Sequence, residues 1–348
     1  IKEKMNVFQK KQNFADDQLF FPVEYTDHDQ ICECENCQEI NKAEETDGGT
    51  LYRFLNAISD ELSEEYPTLI LTTLAYGATL KPPKNNLRKN IVIRYAPIRA
   101  DFAKALDDPS SESNAFSMSC LEGWKKSGTG LYVWYYAGNF NDGITPHPDL
   151  KGLKLNFDIL LDCGMKGMFV ETVQNAGIEL KELRSYILAQ KLWRPETDLD
   201  EAIEEFCNLY YGQGGKYALK YLDYLHDWYY NVVNKDNNNP LTLRGAPPYS
   251  HAYTREFLDK ADEILYAAAG AAETELEKLH VSVMHMPIWY LRLLDAMNTE
   301  RRVEAFPVEW RFKTDPGKSI QASDSSASWG EIRIDDFWTK QAAGKDYH

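Results

Sequence analysis

"TLILTTLAY", residues 68–76, is a nearly continuous run of aliphatic and β-branched side chains, closed by "GATLKPP". β-Branched residues favour extended backbone, and the following Gly and Pro residues end it. A strand that is apolar along its whole length fits a parallel sheet covered on both faces better than an antiparallel sheet with one wet face. Working outward, similar runs occur at "LFFPVEY" (19–25), "NIVIRYAPI" (90–98), "GLYVWYYAGNF" (130–140) and "MKGMFVETVQ" (165–174). Between them the spacing predicts helices. "TLYRFLNAISDELSEEYP" (50–67) has apolar residues at 51, 54, 55, 58 and 62, and "FSMSCLEGWKKSG" (116–128), "LKGLKLNFDILLDCG" (150–164) and "ELKELRSYILAQKLW" (179–193) follow. Strands alternating with helices at this spacing indicate βα units and a parallel sheet.

The flanks differ from this rhythm. Residues 1–18 read as the end of a helix, and a cysteine-bearing loop is expected after residue 25. From about 179 to 300 the chain is mostly helical, interrupted by the Pro/Gly/Asn-rich loop "NKDNNNPLTLRGAPPYS" (234–250). Asp198 and Asp200 stand at the start of one of these helices, where carboxylates favour an N-terminus. "YYGQGG" (210–215) lacks the lysine and the preceding strand of a phosphate loop, and reads as a helix cap and turn. After 303 the pattern turns to β. The chain starts at Ile1 without an apolar leader and stops soon after "WGEIRIDDFWTK", so one piece of a larger polypeptide is expected.

The 38 basic and 54 acidic residues give a net charge of −16, a field that repels nucleic acid and anionic lipid surfaces. No apolar run is long enough to cross a membrane as a helix. At 43% hydrophobic and 13% aromatic the composition is that of a folded chain, with 21 Tyr and 8 Trp available as core or as flat surfaces for sugars. Nothing in it assigns a compartment.

Five parallel strands suit either an open doubly wound sheet or the last five strands of an eight-stranded barrel. No glycine-rich phosphate loop follows any strand, which counts against a nucleotide-binding open sheet. The strand ends instead collect acids and rings: Glu24, Asp27 and Asp29; Tyr76; Arg94; Trp134, Tyr135 and Asn139; Glu171 and Gln174. Barrel enzymes build their sites at this mouth. Asp27, Asp29 and Glu171 are the acids placed for general acid–base work there. Asp29, Tyr76, Arg94, Trp134, Tyr135, Asn139 and Gln174 are expected to bind substrate. A strand-end Glu24 is expected to pair with a neighbouring arginine.

Cys32, Cys34 and Cys37 have metal-like spacing, and His28 stands four residues before the first of them. A structural zinc, a disulfide within the loop and free thiols all remain open, and no other cofactor is expected. The Cys34-x-x-Cys37 pair is not expected to open a helix in a thioredoxin-like setting, which argues against a redox role. His280 and His285 lie five apart, on different faces of one helix, and are expected to be core or surface residues rather than ligands.

The stretches "CECENC", "LYRFLNAISDELSEEYP", "LAYGATLKPP", "LYVWYYAGNF", "GMKGMFVETVQNAG", "LRSYILAQKLWRPETD" and "FCNLYYG", in this order, make the chain resemble the domain of unknown function 4838 from about residue 19 to about 300. That group is glycoside-hydrolase-like and bacterial, and part of it is classed as glycoside hydrolase family 163, endo-β-N-acetylglucosaminidases. The resemblance implies the C-terminal part of a (β/α)8 TIM barrel over 1–178, a helical region over 179–302 and the start of a galactose-binding-like β-sandwich over 303–348. It implies a glycan substrate containing N-acetylhexosamine or a uronate, with Asp27, where that group has an acid at the end of this strand, and Glu171 as the catalytic acids, and a missing N-terminal barrel half in the same polypeptide or another chain. The alternative is a non-catalytic carbohydrate-binding protein with a degenerate site. Tyr135 favours that alternative, because relatives carry an acid between the Trp and the Tyr.

Overall fold

Five strands form one sheet in the strict order β1 (Leu19–Pro22), β2 (Leu69–Ala75), β3 (Ile91–Tyr95), β4 (Gly130–Ala137) and β5 (Met165–Thr172), every neighbouring pair parallel. The computed structural model describes residues 19–25, 27, 30–172, 178–245 and 252–298, with the dipeptides 2–3, 311–312 and 330–331. Consecutive order without a switch of direction curls the sheet into part of an α/β barrel. Right-handed crossovers then place the connecting helices on one side.

Those helices are α1 (Glu35–Glu44), α2 (Gly49–Leu62), α3 (Glu112–Ser127), α4 (Leu150–Asp162) and α5 (Lys181–Trp193). After them come α6 (Leu199–Tyr211), α7 (Gly215–Trp228), α8 (Arg255–Ala271) and α9 (Glu275–Asn298). Asp198 caps α6, its carboxylate accepting from the Asp200 and Glu201 amides at 2.8 and 3.3 Å, and Asp200 falls in the first turn. α3 begins four residues earlier than its apolar pattern, because Ser111 caps it and accepts from the Asn114 amide at 3.3 Å.

The core lies between sheet and helices. In β2 and β3 every second residue is buried, and Leu69, Leu71, Ile91 and Ile93 belong to the same buried set as Leu55, Leu121 and Trp124 on the helices. Burying each such side chain contributes about 1.5–3 kcal/mol. The buried stripe of α2 is Tyr52, Leu55, Ile58 and Leu62, while Phe54 is half exposed.

One expectation is corrected here. Among the described residues the apolar strands are covered on one face only: the alternate residues stand half open on the concave side, with Phe20, Tyr132 and Phe169 at 43, 37 and 54% exposure.

Ile1–Arg292 forms one compact unit and Leu293–His348 a second. The first unit runs through residue 178 without a break, since the Phe102 amide donates to the Leu241 carbonyl at 2.8 Å. In the second, Arg311–Phe312 (β6) pairs antiparallel with Gly330–Glu331 (β7); the rest of the expected β-sandwich lies outside the described residues.

Candidate functional site at the strand ends

Strand alternation decides which side chains reach the concave mouth. On β4 the odd residues Leu131, Val133 and Tyr135 face the helices, and the even residues Tyr132 and Trp134 face the open side. On β5 the same alternation needs a shift. Leu131 pairs with Met165 but Tyr132 pairs with Gly167, so Lys166 is an extra residue in the ladder. A one-residue slip exchanges the faces of a strand. It turns Phe169 and Glu171 to the side of Trp134.

There the groups meet. The Trp134 indole N–H donates to Glu171 Oε2 at 2.8 Å. Phe169 packs edge-on to Trp134, their centroids 4.6 Å apart. Arg94 lies over the Trp134 ring at 5.9 Å and pairs with Glu24, the pairing expected for that acid. Partial burial lowers the Arg94 pKa, and among the described residues its Nε has no hydrogen-bond partner. Tyr136 is 8% exposed, and its hydroxyl pKa is raised by burial first, then by Tyr76, Glu171 and Asp27. Asp27 follows β1 and Glu171 ends β5, the two edge strands of the described sheet. Asp27 is exposed and Glu171 half-buried.

The other expected residues take different places. Tyr135 is only 1% exposed; its hydroxyl accepts from Asn156 Nδ2 at 3.0 Å, and its ring meets Phe102 edge-on at 5.7 Å. It is a core residue under α4, not part of the concave face, and this corrects its expected role in binding. Asn139 is buried and organises its own turn, donating to Thr145 Oγ1 at 2.8 Å and accepting from the Asn141 and Asp142 amides at 3.0 and 3.1 Å. The Tyr76 amide donates to Thr79 Oγ1 at 3.2 Å at the start of a short 3-10 turn. His28, Asp29 and Gln174 lie outside the described residues.

Sequence reasoning passed over Tyr136. Its signal was parity: it shares the even register of Trp134, whereas Tyr135 shares that of Leu131 and Val133. It also passed over the buried cluster that fixes the loops after β4 and β5. Arg184 on α5 donates to Asp149 Oδ1 at 2.8 Å, to Glu179 Oε2 at 2.7 Å and to the His147 carbonyl at 2.6 Å. Burial lowers His147 to about 4 and raises Glu179 to about 7. His285 Nε2 donates to the Asp262 carboxylate at 2.6 Å and His280 stacks on Tyr210, so both are packed within the helical part.

The cysteine stretch leads into a helix rather than staying a loop. Cys34 is the N-cap of α1 and Cys37 lies in its first turn, so the Cys34-x-x-Cys37 pair does open a helix, against expectation. The Cys37 amide and the neighbouring thiols lower the Cys34 thiol, while the Cys37 thiol is raised to about 11, chiefly by Cys34 and Cys32. All three thiols are free and their Sγ atoms lie within 4.8 Å of one another, a cluster able to hold a metal ion.

Curled parallel strands, helices on one side and acids with rings at the strand ends define a partial α/β barrel carrying a candidate site at its C-terminal mouth. Over residues 4–223 the chain matches the family described as Domain of unknown function (DUF4838), and it belongs to that family. No curated protein and no solved structure matches it.

Proposed function

We propose that this chain carries the catalytic mouth of a glycoside hydrolase acting on a glycan that contains N-acetylhexosamine. The observation that carries the reading is the hydrogen bond from Trp134 to Glu171 at the strand-end mouth. Glycoside cleavage needs a proton donor at the leaving oxygen and a second group supporting the oxocarbenium-like centre. With a 2-acetamido sugar, the substrate's own carbonyl can attack, held by a carboxylate. Trp134 and Phe169 offer ring faces to a sugar, and the indole bond fixes the direction of Glu171.

The reading needs a closed barrel. β1 and β5 are the edges of the described sheet, and three further strands from the same polypeptide or another chain would bring it to eight. The cysteine cluster stands outside this chemistry; a zinc ion there would brace the loop after β1.

The test is turnover of aryl 2-acetamido-2-deoxyglycosides by the full-length polypeptide. Asp27→Asn and Glu171→Gln are each expected to lower kcat/KM by about 10²–10⁴-fold. With an activated leaving group, the variant lacking the proton donor recovers most of its rate and the other does not. Sugar binding without turnover, unaltered by either substitution, would sink the hydrolase reading and leave a binding protein.

A further inference from the structure

Between residues 30 and 39 no side chain is buried, although this segment holds the start of α1. The far end of α1 is firmly held. Buried Glu44 accepts from Arg53 Nε at 2.6 Å and from Asn85 Nδ2 at 2.8 Å, and Asn41 Oδ1 accepts from the Thr50 amide at 2.8 Å. The near end is held more lightly: it buries no side chain, and Thr50 Oγ1 reaches the Cys37 carbonyl at only 3.5 Å. What converges there instead is sulfur: Cys32 Sγ and Cys34 Sγ are 3.5 Å apart, and Cys37 Sγ completes a triangle within 4.8 Å.

Zinc–thiolate bonds of about 2.3 Å in a tetrahedron set neighbouring sulfurs about 3.8 Å apart. The triangle is already near that size, whereas a disulfide would draw two sulfurs to about 2 Å. The donors are soft and of one kind, which selects zinc over calcium or magnesium. The ion would also replace the missing core, since metal binding supplies folding free energy to segments that bury little.

We propose that Cys32, Cys34 and Cys37 form a three-thiolate zinc site that fixes the first turn of α1. Binding displaces the three thiol protons, and the fourth corner is left to an exogenous ligand. The site is independent of the hydrolase reading: it would hold zinc whether or not the mouth turns over a sugar.

The full chain, purified without chelator from zinc-supplemented culture, is expected to carry one zinc per chain by elemental analysis. Cys34→Ser and Cys37→Ser are each expected to weaken zinc binding roughly tenfold or more. Cobalt(II) added to the metal-free, unsubstituted chain should give thiolate-to-metal charge-transfer absorption of three-sulfur intensity, a reading that needs no variant to fold. Zinc removal should speed amide exchange across residues 30–40 while leaving β3 unaltered. Asp27→Asn should keep its zinc, so a chain that holds zinc but cleaves no glycoside defeats the hydrolase reading alone. The proposal is overturned by a chain without stoichiometric zinc, by cobalt spectra lacking thiolate bands, or by a mass two hydrogens lighter that marks a disulfide among the three.

Discussion

Trp134, Tyr135 and Tyr136 are three consecutive rings with different surroundings. The sequence made all of them aromatic and strand-borne, but a run of rings hides its own alternation. Neighbours settle it: Leu131 and Val133 fix the odd residues against the helices, and Arg94 lies over the even Trp134. Two substitutions separate the faces. Tyr135→Phe removes the nearer acceptor of buried Asn156 Nδ2, leaving the Lys104 carbonyl at 3.4 Å, and should lower stability by about 1–3 kcal/mol in denaturant unfolding. It should leave sugar affinity unaltered. Trp134→Phe keeps an aromatic ring but frees Glu171 Oε2 of its indole donor. Stability should shift by about 1 kcal/mol, as for one hydrogen bond at a half-exposed site. If Glu171 is catalytic, kcat should fall with little change in KM; a change in KM alone would assign Trp134 to binding only.

Among elements, strands and amphipathic helices were legible because their burial is apolar and periodic. α1 was not, because the residues it buries are Asn41 and Glu44, which leave no hydrophobic stripe. The turn of Glu171 toward the mouth was also hidden, since it depends on the extra residue Lys166 and not on composition. The contact of α4 with the loop after β3 is equally a matter of close approach. A Cβ on Gly152 would stand 2.1 Å from the Phe102 carbonyl oxygen, so Gly152→Ala should cost about 1–3 kcal/mol through displacement of α4.

The cluster tying α5 to the loops after β4 and β5 makes a prediction with opposed signs. His147 falls from an ordinary 6.5 to about 4, so its contribution is complete above pH 6.5 and is lost as pH drops toward 4. Glu179 rises from 4.5 to about 7, so its contribution is greatest below pH 4.5 and is lost as pH climbs toward 7. The two windows overlap and the slopes offset each other. Relative to the unsubstituted chain, Glu179→Gln should lose stability more steeply as pH falls from 6.5 to 4. His147→Asn should instead gain stability as pH falls from 7 to 4.5. Each difference is on the order of 1–3 kcal/mol across its window. Thermal unfolding followed at half-unit pH steps reads both, and parallel pH profiles for all three proteins would show that the two groups do not titrate as described.

At the scale of the whole molecule, the strand order was written in the βα rhythm, because consecutive short crossovers leave little choice of topology. The half-open concave face was not, because a strand's composition does not say whether its second face has a partner. In the described sheet β1 and β5 each pair with one neighbour, whereas β3 is bonded on both sides. Edge strands leave a row of amides for another strand or for water. Their outward amides should therefore exchange near the unprotected rate in the chain alone, while those of β3 need larger openings. Hydrogen exchange resolved to peptides 19–22, 91–95 and 165–172 measures this directly. If further parallel strands close the barrel, the full-length polypeptide should slow exchange at β1 and β5 together and leave β3 nearly unaltered. Protection of only one edge would describe an open sheet extended by added strands. Equal protection of β1, β3 and β5 in the chain alone would mean that both edges are already paired.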